Sequence, residues 1–166
     1  RSYWKGMMDL GATTVWERWN SYTLEKGFGN VSMNSFNHYA YGAVAEWMYE
    51  SMAGIKADPA HPGFTHFILA PKPDFRSGEE IPAGQERIRH VKAYFAARTG
   101  RIESEWGYEN GRFTYRFTIP EGTSAQVEFP LIDPQPLTLN GKPALQFTRI
   151  GGVAVAELPA GRYVLQ

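Results

Sequence analysis

The chain has 166 residues, and its 17 Lys plus Arg balance 17 Asp plus Glu, so the formal net charge is zero. That balance argues against a nucleic-acid module, which carries a basic excess or stripe, and no apolar run reaches the ~18 residues of a membrane span. At 43% hydrophobic and 20% charged the composition is that of a globular protein, and the absence of cysteine excludes disulfides and thiolate metal ligands.

The chain opens at Arg1 with neither an initiator Met nor a charged-then-apolar leader, so it is expected to be the interior of a longer gene product. Residues 3–10 read as a short amphipathic helix ended by Gly11. Asn34 and Ser35 offer N-caps to a helix over 36–53. In it Phe36, Ala40, Ala43, Val44, Trp47, Met48 and Met52 recur mostly at three- and four-residue steps, as a buried stripe would. Gly54 stands where a left-handed C-terminal cap is wanted. Trp4, Trp16, Trp19 and Trp47 give this part more large apolar surface than two short helices can cover by themselves.

The composition changes at Asp58-Pro-Ala-His-Pro-Gly63, and strands are predicted over 64–69, 88–97, 102–108 and 113–119. Asn110-Gly111 tolerates the positive φ angles of a tight hairpin turn. In that register Tyr108 faces Phe113, Trp106 faces Tyr115 and Ser104 faces Phe117 on one aromatic face. Glu109 then meets Arg112 and Glu105 meets Arg116 on the other. Asn140-Gly141, Gly151-Gly152 and Pro159-Ala160-Gly161 are further turn signals. Short strands at this spacing predict an antiparallel β-sandwich. Two domains are therefore expected, a helical one over 1–57 and a β-sandwich over 58–166. With 5 Trp, 9 Tyr and 10 Phe, aromatic residues are expected to fill the core ahead of stacking on sugars.

The most unusual segment is Gly11-Ala-Thr-Thr-Val-Trp-Glu-Arg-Trp19. A carboxylate between two indoles, as at Glu17, is desolvated and its pKa rises, while Arg18 beside it pulls the other way. Tuned carboxylates of this kind serve as general acids or bases; the alternative is a surface Glu–Arg pair flanked by core tryptophans. His38, in the first turn of the second helix, faces exposed N–H groups that favour neutral imidazole, suited to hydrogen bonding a sugar hydroxyl or to local capping. His61, His66 and His90 are scattered with no ligand spacing, so no metal and no cofactor are expected. Arg87, Arg89, His90 and Lys92 read as a solvated edge strand.

These motifs together, with Met33-Asn-Ser-Phe-Asn-His-Tyr-Ala-Tyr-Gly-Ala-Val44, Glu46-Trp47, Ala53-Gly-Ile55, Pro62-Gly63 and Gly100-Arg-Ile-Glu-Ser-Glu-Trp106, resemble the C-terminal part of bacterial α-L-rhamnosidases of glycoside hydrolase family 78. The resemblance implies the closing helices of an (α/α)6 barrel followed by an antiparallel β-sandwich. It implies an inverting glycosidase that releases terminal α-L-rhamnose. Glu17 matches the general base and His38 a residue contacting the bound sugar, while the general acid belongs to a part of the polypeptide N-terminal to this chain. The implied partners are a rhamnose-containing carbohydrate and that N-terminal part, with no nucleic acid and no membrane. Two alternatives stand beside it: a non-catalytic carbohydrate-binding β-sandwich using Trp106, Tyr108, Phe113 and Tyr115 as a stacking platform, and an (α/α)6 glycosidase of different sugar specificity.

Overall fold

Helix α1 (Tyr3–Asp9) stops as predicted: Gly11 takes φ 81, and the N–H groups of Gly11 and Ala12 donate back to the carbonyls of Met8 and Met7 at 2.9 and 3.1 Å. This is how a left-handed residue closes a helix. The computed structural model describes residues 3–76, 78–109, 111–132 and 135–166, and the chain divides into two units, 1–46 and 47–166. The first unit also holds a small hairpin, β1 (Tyr22–Thr23) with β2 (Gly27–Phe28).

The second helical segment begins later than predicted, at Tyr39, and runs as a 3-10 turn (Tyr39–Ala43), a short α turn α2 (Val44–Trp47) and a π turn (Met48–Ala53). Its N-cap is His38, not Asn34 or Ser35. The reason is hydrogen bonding. The backbone of Ser35 and His38 is already committed to residues 15–17, and backbone groups used in a loop cannot also start a helix. The predicted stripe is also not buried: Trp47 is 55% exposed, and Val44 and Met48 are exposed with it, whereas Ala53 is buried. Periodicity defines a face without specifying what covers it.

The end of this segment accounts for its orphan carbonyls one by one. Gly54, at φ 77, donates its N–H to Tyr49, and Lys72 donates its N–H to Ser51 at 2.9 Å. Trp106 Nε1 donates to the Met52 carbonyl at 2.6 Å, and Ser104 Oγ donates to that of Ala53. Gly54 admits no side chain, because a Cβ there would meet the backbone nitrogen of Pro71 at 2.2 Å.

Nine further strands complete the β part: β3 (Ile55–Ala57), β4 (His66–Leu69), β5 (His90–Ala97), β6 (Gly100–Glu109), β7 (Arg112–Pro130), β8 (Thr138–Leu139), β9 (Lys142–Pro143), β10 (Thr148–Ile150) and β11 (Val153–Leu165). All belong to one hydrogen-bonded sheet, with β7 and β11 as its long central strands. The β6–β7 register is the predicted one, residue for residue, from Glu109 opposite Arg112 to Ser104 opposite Phe117. Asn110 lies outside the described residues, and Gly111 has φ 79. Asn140 and Gly141, at φ 50 and 75, close the β8–β9 hairpin. Gly151-Gly152 joins β10 to β11.

Three expectations are corrected. The pairing is not all antiparallel, because β4 runs parallel to β7. Pro159-Ala160-Gly161 is not a turn that ends a strand but the point within β11 where the register against β7 jumps from Ser124 to Ile119, the extra residues lying on β7. A bulge interrupts the register without ending a strand, and both long strands keep pairing on either side of it. The charged pairs on the outer face also differ from prediction. Glu105 binds Lys92 and His90 of β5 at 2.9 and 3.0 Å, and Arg116 binds Glu109. Strand β6 has a neighbour on each side, and its side chains reach the better-placed one. The basic stretch around His90 and Lys92 is an edge, since among the described residues β5 pairs only with β6.

The core contains Trp106, Phe113, Tyr115, Phe117, Phe67, Leu69 and Val127, so the aromatic face of the hairpin points inward. Burial pushes the Tyr115 phenol up from 10.0, against the hydrogen bond it shares with Ser104. A folded state that keeps this phenol neutral gains its full contribution below pH 10.0 and loses it as pH rises beyond that value. The guanidinium midpoint should therefore fall between neutral pH and about pH 11, and Tyr115→Phe should make that alkaline slope shallower. An unchanged slope would remove Tyr115 as its source.

Candidate functional site

Val15, Trp16 and Glu17 run beside Ser35, Phe36, Asn37 and His38, two loop segments laced by hydrogen bonds. The Glu17 N–H donates to the Ser35 carbonyl at 2.8 Å, and the Ser35 N–H returns a bond to Glu17 Oε2 at 2.8 Å. The His38 N–H donates to the Val15 carbonyl at 2.7 Å, and the Thr14 hydroxyl donates to the Phe36 carbonyl. The two residues that the sequence singles out, Glu17 and His38, are thus brought onto adjacent segments of one small unit. Beneath them Trp16, 6% exposed, packs edge-on against Phe36 at 5.1 Å, and Phe36 against Phe28 at 5.5 Å. The His38 ring lies stacked near Tyr39 at 6.2 Å.

The walls of the carboxylate are not the symmetrical pair of indoles expected. Trp16 is an anchor turned into this aromatic cluster, whereas Trp19 is 70% exposed. Among the described residues no ion pair joins Glu17 to Arg18. What orients Glu17 is a backbone amide, the Ser35 N–H on Oε2.

The proposed stacking platform fails for a simpler reason: Trp106, Phe113 and Tyr115 are each 1% exposed or less. They are core, and no sugar reaches them. A cleft of about 620 Å³ lies elsewhere on the sheet, beside Tyr94, Arg101, Glu103 and Arg116. Its charges are largely neutralised internally, as in Arg101–Glu103 at 3.0 Å.

A second constellation escaped the sequence reading. His61 and His66 are not scattered, since both bring Nδ1 to the same oxygen of Asp58, Oδ2, at 2.7 and 2.6 Å. His66 Nε2 meets Glu157 Oε2 at 3.0 Å. Hydrogen bonds from His61 and from the Ala60 N–H hold the Asp58 carboxyl down at about 2. Partial burial works against the charge on His66, but the Glu157 and Asp58 carboxylates raise it above 6.5. The available signal was the loop Asp58-Pro-Ala-His-Pro-Gly63, where two prolines and a glycine make a rigid reversal that returns the chain to His66.

Residues 1–52 match the bacterial alpha-L-rhamnosidase 6 hairpin glycosidase domain, and residues 54–142 match the bacterial alpha-L-rhamnosidase C-terminal domain. The chain belongs to the bacterial α-L-rhamnosidase family. An α-L-rhamnosidase of Streptomyces avermitilis is 37% identical over 131 residues, covering 79% of this chain and 12% of the relative. One of Formosa agariphila is 34% identical over 139 residues, covering 84% and 14%. The crystal structure of the Streptomyces avermitilis α-L-rhamnosidase complexed with L-rhamnose superposes with a TM-score of 0.70 at 33% identity, covering 98% of this chain and 14% of that one. The chain thus spans about an eighth to a seventh of the length of these relatives.

Proposed function

We propose that this chain is part of an inverting α-L-rhamnosidase, supplying its general base, Glu17, and a sugar-contacting residue, His38. The reading is supported chiefly by the bond from the Ser35 N–H to Glu17 Oε2 at 2.8 Å, which fixes the carboxylate without neutralising it. A base held this way takes a proton from water on Oε1. The water oxygen attacks the anomeric carbon as the glycosidic C–O bond breaks on the opposite face. The departing oxygen is protonated by a general acid from the rest of the parent polypeptide, ~6.5–9.5 Å from the base to leave room for the water. Residues up to the region between Ala53 and Asp58 are the closing helices of an (α/α)6 barrel, and those beyond are its β-sandwich domain. That account gives the exposed Trp47, Val44 and Met48 a cover, the preceding barrel helices. L-Rhamnose as the sugar is supported by the rhamnose-bound relative matched over 98% of this chain. With one carboxylate of two, the 166-residue chain by itself is inactive.

The test is the stereochemistry of the product. The parent enzyme acting on an aryl α-L-rhamnoside, followed by proton NMR, should release β-L-rhamnose first, with the α anomer growing in by mutarotation. An α anomer released first, or no hydrolysis of the rhamnoside, would overturn the reading.

A further inference from the structure

We propose that Asp58, His61 and His66 bind a divalent transition-metal ion of the zinc class, with Glu157 as the outer partner of His66. Two imidazole nitrogens and one carboxylate are a donor set suited to zinc and its neighbours, whereas Mg²⁺ and Ca²⁺ select all-oxygen surroundings. The three donors lie within 4.8 Å of one another. They are prearranged by the backbone: the Ala60 N–H binds Asp58 Oδ1 at 2.9 Å, which leaves Oδ2 as the atom on which both histidines converge. The His61 N–H donates to the Asp58 carbonyl at 3.0 Å, closing the turn.

The loop that returns to His66 holds a non-glycine residue, Phe64, at φ 60. Such a conformation persists where the surroundings over-determine it. Packing of the Phe64 ring on Phe95 at 4.7 Å and on Phe67 at 6.2 Å supplies that support.

The independent observation is on the other side of the His66 ring. Glu157 reaches it from β11, across β7, and binds Nε2 at 3.0 Å. A metal-ligating histidine almost always gives its second ring N–H to a carboxylate or carbonyl, which sets the tautomer and strengthens the ligand. Here that bond already presents Nδ1 as the ligating atom. Around a tetrahedral ion with bonds of ~2.0–2.1 Å the donors stand roughly 3.3 Å apart. The group therefore opens by about 0.6 Å on binding, a movement available to His61, whose side chain is 56% exposed. The Nδ1 protons pass to solvent as the ion takes their place. Three protein ligands leave a coordination position for water.

Calorimetric titration of the 166-residue chain with zinc chloride should find one ion per chain. Both His61→Ala and His66→Ala should weaken binding at least about tenfold, and Glu157→Ala by about 10–100-fold. Circular dichroism establishes that each variant is folded. Because His61 is largely exposed, His61→Ala tests the site even where His66→Ala fails to fold. The proposal is overturned by no zinc uptake, by affinity unchanged in folded His61→Ala, or by magnesium chloride binding as tightly as zinc.

Discussion

Turnover of an aryl α-L-rhamnoside by the parent enzyme is expected to fall by about 10²–10⁴-fold on Glu17→Gln, with KM little changed. The amide oxygen of Gln can still accept from the Ser35 N–H, so the loop pairing of Glu17 with Ser35 survives and only the base is lost. That separation makes the substitution informative. A structural role would lower stability and leave the shape of the pH–rate profile alone, whereas loss of a base also removes the acidic limb of the profile. Near-normal kcat in a folded Glu17→Gln enzyme would exclude Glu17 from the reaction.

Trp106→Ala is expected to be the most damaging single change to the β part. The ring is 1% exposed and packs on Phe113 at 5.9 Å, so truncation costs about 3–5 kcal/mol in lost contacts and cavity. It also strands the Met52 carbonyl, whose donor is the indole N–H at 2.6 Å. Leaving a buried acceptor unpaired adds about 1–3 kcal/mol. Against total stabilities of ~5–15 kcal/mol, the variant should lose a large share of its stability at 25 °C. Trp106→Phe keeps most of the volume and loses only the donor, so it should cost about 1–3 kcal/mol. Chemical denaturation of both variants measures the difference; equal losses would mean that the packing of the ring adds nothing beyond the bond to Met52, and no loss in Trp106→Phe would mean that the bond contributes nothing.

Local chemistry was legible wherever a side chain's role is settled by its nearest neighbours in sequence. Gly11, Gly54 and the Asn140-Gly141 pair adopt positive φ at the predicted stops and turns, because only small or short polar residues enter that region cheaply. The β6–β7 register followed from two faces that agree, one aromatic and one charged. Pro159-Ala160-Gly161 carries the same turn residues and ends no strand, because β7 continues to pair with β11 on both sides of it.

The candidate base could be chosen from sequence, but its support could not. Glu17 lies eighteen positions from Ser35, and nothing local announces that the amide of Ser35 will hold it or that the same pairing will delay the helix to Tyr39. The cluster at Asp58 depends on longer range still, since Glu157 is ninety-one positions from His66 and reaches it only across β7.

By itself, then, the amino-acid order determined element types, glycine stops, the central hairpin register and the identity of the acidic and imidazole side chains worth testing. Tertiary structure alone decided which apolar faces are covered, which strand runs parallel, which carboxylate each cation meets, and that two histidines share one aspartate oxygen. The division has a physical origin. Backbone preference and side-chain periodicity act over a few residues, whereas burial, ion pairing and ligand geometry depend on atoms that only chain folding brings within a few ångströms.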